Sequence, residues 1–139
     1  MSTVPAILIA ASSLVILVLG TMHLILTFRG TAFHPRDAAL LEAMKGGSMR
    51  IARSANMWRA SLGFHASHSL GAMLFGLVYG YLALEESGFL FRSVFLMVLG
   101  LAVLCAYLLL ARLYWFKVPF RGILLSTILY AAGLVTLLR

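Results

Sequence analysis

Four stretches of this chain are each long and apolar enough to call for an apolar solvent: Val4 to Phe28, Ser61 to Leu84, Phe89 to Ala111 and Val118 to Leu138. A helical crossing of the bilayer hydrocarbon takes about 20 mostly apolar residues. Inside the hydrocarbon every backbone N–H and C=O needs a partner, and a single segment finds them all within itself only as a helix. Of the 139 residues, 63% are apolar and 11% are charged, which leaves no polar coat for a water-soluble globule. The expected fold is all-α: a membrane four-helix bundle forming a single integral membrane domain over residues 1–139.

No basic residue precedes the first stretch, and its apolar run exceeds that of a signal peptide, so it reads as a retained span. The one cysteine, Cys105, lies inside the third stretch. It leaves neither a disulfide framework nor a thiol pair for redox exchange.

The net charge of +7 acquires meaning from its placement. Arg29, Arg36, Lys45, Arg50, Arg53 and Arg59 lie between the first two stretches, against Asp37 and Glu42. Arg112, Lys117 and Arg121 lie between the last two, whereas the middle connection carries Glu85, Glu86 and Arg92. Basic loops stay on the cytoplasmic side, so both basic connections are expected there, with the amino and carboxyl termini outside. Anionic lipid head groups of the bilayer are a sufficient partner for this charge, and nucleic acid is not an expected partner.

The loop over residues 29–60 carries its own signals. Asp37 after His34-Pro35 is placed to cap a short helix ended by Gly46-Gly47, with Leu40, Leu41 and Met44 on one face, as an interfacial helix requires. Ser48 is placed to cap a second helix that would run through Arg50, Arg53 and Trp58 into the second span. Phe28, Trp58, Tyr114, Trp115 and Phe116 mark one water boundary, and Tyr79, Tyr81, Phe89 and Phe91 the other.

Three histidines lie inside the apolar stretches. His23 stands six residues before Arg29, and His65 six after Arg59, so both lie about 9 Å from their flanking arginine at 1.5 Å per residue. His68 is about one turn deeper, on the face of His65. An ionisable group within a span faces the bundle interior or a polar cavity, since facing lipid is costly. Thr27, Ser61 and Ser69 stand within hydrogen-bonding spacing of these imidazoles, and Asn56, Arg53 and Arg59 would roof them. The expected binding site is therefore His23, His65, His68, Ser69, Asn56, Arg53 and Arg59.

Several chemistries fit such a layer. Neutral imidazoles bonded to hydroxyls tie helices together. His23 with His65 or His68 could ligate haem b axially, with Gly20 or Gly71 as clearance, and all three could hold zinc, iron or copper, although no carboxylate in a span completes the set. The imidazoles and arginines could instead grip the carbonyl or anionic head of an amphiphile such as a quinone or a lipid. A Ser and His pair has no acid to orient the base, so the sequence leans away from an enzyme.

A row of small residues, Ala72, Gly76 and Gly80, and a second one, Gly63, Ser67 and Gly71, permit close helix approach along the second span. They serve either packing within the chain or a contact with a larger membrane complex or another copy. The alternative function is thus an accessory subunit docked through this glycine-rich face.

The segments 20-GTMHLILTFRG-30, 56-NMWRASLGFHASHSLGAMLFGLVYG-80 and 114-YWFKVP-119 resemble a family of small uncharacterised bacterial integral membrane proteins, with the likeness extending over all four spans. The resemblance implies the four-span architecture and a multi-pass location in the bacterial inner membrane, and no activity. Arg53-Ser54-Ala55-Asn56 in a basic loop is faintly similar to the membrane-associated eicosanoid and glutathione enzymes, but the acidic residues that accompany such an Arg and Asn there are absent here.

Overall fold

The computed structural model describes residues 3–137, and among them there is no strand. The elements are α1 (Thr3–Phe28), α2 (Ala38–Gly46), α3 (Met57–Leu84), α4 (Ser87–Arg92), α5 (Val94–Tyr114) and α6 (Lys117–Thr136). Four of them, α1, α3, α5 and α6, are long and apolar enough to cross a membrane. The architecture is an all-α four-helix bundle of a multi-pass membrane protein, as the apolar stretches require.

Two helix starts differ from the expected ones. No helix runs through residues 48–56: Ser48 pairs with Asn56 in an isolated antiparallel bridge, and α3 begins at Met57 with the Asn56 Oδ1 accepting from the Arg59 N–H at 2.8 Å. Asn is as good a cap as Ser, and Asn56 stands nearer the apolar run. The third span starts at Val94 rather than Phe89 because Ser93 interrupts the tract. Its backbone is extended, and its hydroxyl accepts from the Leu96 N–H at 3.3 Å. The preceding residues form the separate turn of α4, which buries Leu90.

By its packing the chain divides into two compact units, one built from the chain up to Leu19 and from Ala72 onward, the other from Gly20–Gly71. The first holds the apolar core: Ile9, Ile16, Phe75, Leu104, Ile123 and Tyr130 are among its buried members. Polar groups in that core are paired. Ser12 and Ser126 join α1 to α6: their hydroxyls lie 2.7 Å apart and each lies within hydrogen-bonding distance of the other's backbone carbonyl, at 2.8 and 3.0 Å, contacts that the two hydroxyl hydrogens share. Tyr130 donates to the Met97 carbonyl at 3.2 Å, and Tyr79 to that of Leu96 at 2.8 Å. Tyr79 is thus a core residue and not a boundary anchor. Close approach relies on glycine. A Cβ on Gly76 would come within 2.7 Å of the Leu17 Cβ and 2.8 Å of the Ser13 carbonyl, and one on Gly100 would overlap the Tyr130 and Tyr79 rings.

None of the apolar core residues comes from Gly20–Gly71. In that unit the buried side chains are Thr27 and Ser69, beside half-buried aromatic and imidazole rings. Asp37 caps α2 as expected, accepting from the Ala39 N–H at 2.8 Å, and Gly47 closes it by donating to the Ala43 carbonyl. Helix α2 buries no residue, and the ion pair between Lys45 and Glu42 on it is exposed.

Candidate functional site

The unit over Gly20–Gly71 brings the three histidines together. His23 on α1 faces His65 and His68 on α3, its ring centroid 5.2 Å from each. The His23 Nε2 and His65 Nδ1 share a hydrogen bond of 3.1 Å. Equal depth on antiparallel spans permits this meeting, and the i, i+3 spacing keeps His68 on the face that makes it.

A shared bond between two imidazoles constrains their protons. When both rings are neutral, the donor ring turns a bare nitrogen outward, and the acceptor ring turns an N–H outward. The pair then offers one donor and one acceptor to a third party. With one extra proton it offers two donors. A head group carrying a carbonyl, a hydroxyl or an anionic oxygen can be matched by one of these states.

Phe33 covers the pair. It stacks on His65 at 4.7 Å with 19° between ring planes, and lies 4.6 Å from His23 at 42°. The segment that carries it leaves α1 through Gly30 at φ +117°, a conformation L side chains seldom adopt. It then turns where the His34 N–H donates to the Thr31 carbonyl at 3.0 Å. Next to Phe33, His34 packs edge-on against Trp58 of α3 at 4.8 Å. The loop is therefore held to α3 by two adjacent aromatic contacts. The role of Phe33 is not legible in the sequence, where it stands between Ala32 and His34 with no periodic neighbour. Its one local signal is Gly30, which marks a turn without saying where the next ring lands.

The remaining expected site residues do other work. The Ser69 hydroxyl donates to the His65 backbone carbonyl and the Thr27 hydroxyl to that of His23, each at 2.8 Å. These are bonds along one helix to the fourth residue back, so each hydroxyl's one hydrogen goes to backbone. Such back-bonding satisfies a polar group inside an apolar layer locally. Asn56 is spent on capping α3. Arg53 and Arg59 are exposed.

The geometry also bears on cofactors. Axial ligation of a haem by His23 and His65 needs the two ring nitrogens on opposite faces of a porphyrin, whereas here they bond each other with Phe33 against both rings. Among the described residues no group of three or more His, Cys, Asp or Glu is arranged to hold a metal ion.

Comparison with known proteins finds no matching family model, no matching curated protein and no matching solved structure.

Proposed function

We propose that this chain is an integral protein of the bacterial inner membrane that binds the head group of a membrane amphiphile at His23, His65 and His68. The ligand class is a quinone or lipid whose head presents a carbonyl, hydroxyl or anionic oxygen. The observation that carries the reading is the His23–His65 hydrogen bond beneath the Phe33 ring: three imidazoles from two apolar spans converge where a purely structural interior would hold aliphatic side chains. Supporting it, the unit places no apolar core residue of its own around them, and the flat ring already stacked on His65 marks a place that a planar head could take. Basic residues crowd the connection between α1 and α3, which favours the cytoplasmic leaflet as the ligand's source.

The test uses the full chain purified in mild detergent, with native mass spectrometry and organic extraction of co-purifying molecules. A hydrogen bond to a charged group contributes on the order of 1.5 to 3 kcal/mol, roughly a tenfold to hundredfold change in affinity. His65→Ala is expected to lose ligand occupancy on that scale while its melting temperature changes little. His23→Ala and His68→Ala should behave alike. Unchanged co-purifying molecules with large stability losses in all three variants would make the histidines helix-to-helix fasteners.

A further inference from the structure

We propose that the turn joining α5 to α6 is a binding site for the head group of an anionic phospholipid. A cavity of about 190 Å³ opens there, lined by Ala111, Arg112, Trp115, Phe116, Lys117 and Phe120. It sits where one membrane-spanning helix ends at Tyr114 and the next begins at Lys117, which is head-group depth by construction. Ala111 is buried and small, so the cavity reaches in to the helix. Trp115 is half-buried with its ring 6.2 Å from that of Tyr107, which fixes one wall.

Charge selects the ligand. Arg112 and Lys117 are exposed at the rim, Arg121 follows one turn later, and there is no Asp or Glu anywhere from Ser93 to Leu137. The whole hairpin therefore concentrates positive charge without an acidic residue of its own to balance it. Basic pockets between membrane helices take anionic lipid heads. A free phosphate would satisfy the cations, but it would have no use for the aromatic walls or for the apolar surface beside them. Leu109, Leu113 and Val118 are exposed on the adjoining helical turns, where the acyl chains of a lipid would lie. The phospholipid is the occupant that uses all three features.

Trp115 provides the readout, since the chain has two tryptophans and Trp58→Phe leaves Trp115 alone. That variant is reconstituted into bilayers containing rising fractions of brominated phosphatidylglycerol or brominated phosphatidylcholine, and quenching of its fluorescence is measured. About 1 kcal/mol per basic residue near the surface is roughly fivefold in affinity per cation, so a preference of about tenfold or more for the anionic lipid is expected. It should shrink in high salt. Arg112→Gln with Lys117→Gln in the same background should bring the preference close to unity at unchanged helical content by circular dichroism. Should the double variant fail to fold, Lys117→Gln alone should lose roughly fivefold. Equal quenching by the two lipids, or a preference that survives the substitutions, overturns the proposal. So does a preference abolished by millimolar inorganic phosphate, which would mark a site for a soluble anion.

Discussion

Ser12 and Ser126 illustrate how much a single hydroxyl carries within an apolar layer. Each is both partner and acceptor for the other, so neither residue has an independent contribution. Hydrogen bonds between membrane helices average about 0.6 kcal/mol by double-mutant cycles. Ser126→Ala is therefore expected to lower stability in detergent by about 1 kcal/mol, and Ser12→Ala by a similar amount. The double variant should lose less than the two single losses added, because the second substitution removes a group already without its hydroxyl partner. Strict additivity in unfolding titrations would show that the two hydroxyls act separately. The same scale shows what could be read from sequence at the candidate site. The depth of His23 and His65 follows from counting residues, but their meeting does not, because it turns on the rotation of each helix about its axis, which spacing leaves open. The destinations of the Ser69 and Thr27 hydroxyls do not, since an imidazole and a backbone carbonyl four residues back compete on equal spacing. Phe33 is harder still, because its position depends on a turn through Gly30 that leaves no periodic trace.

Among the elements, α3 is the one whose surface was most open to interpretation. Its row of Ala72, Gly76 and Gly80 signals close packing without saying against what. In the structure Gly76 is buried against α1 at Leu17 and Ser13, whereas a Cβ on Gly80 would sit 3.7 Å from the Ser13 Cβ, an ordinary contact. The small residue at position 76 thus serves packing within the chain. The second row, Gly63, Ser67 and Gly71, is exposed. A contrast between neighbouring glycines follows. Gly76→Ala drives a methyl group into backbone and should destabilise the monomer by about 1 to 3 kcal/mol, while Gly80→Ala should be nearly neutral. Thermal melts in one detergent decide it, and equal effects at the two positions would contradict the packing of α1 on α3. Helix starts are hard to read from sequence for a related reason. Ser48 and Asn56 both have capping chemistry, and an apolar tract such as Phe89 to Ala111 conceals a Ser93 that ends one helix and starts another.

At the scale of the whole chain, the number of spans and the placement of charge make separate statements about topology. If each of the four candidate spans crosses once, both chain ends lie on one side of the membrane, and the connections after α1 and after α5 on the other. The basic residues gather in those same two connections, Arg29 to Arg59 and Arg112 to Arg121, while the α3–α5 connection has two acidic residues. Charge alone would place the two basic connections in the cytoplasm, and parity alone requires only that they share a compartment. Their agreement is what two crossings between the connections, by α3 and α5, predict, and a single crossing there would have opposed them. The physical reason this level is legible in sequence is that hydrocarbon thickness and interfacial charge act on composition over tens of residues, whereas side-chain convergence turns on rotations of a fraction of a helical turn. Reporter fusions after Gly47 and at the carboxyl terminus are therefore expected to report opposite compartments, with the Gly47 fusion cytoplasmic. Two cytoplasmic reports would reduce the number of crossings by one. A Gly47 report from outside, with the carboxyl terminus inside, would keep four spans and reverse the chain, placing the histidine cluster and the α5–α6 turn at the outer leaflet.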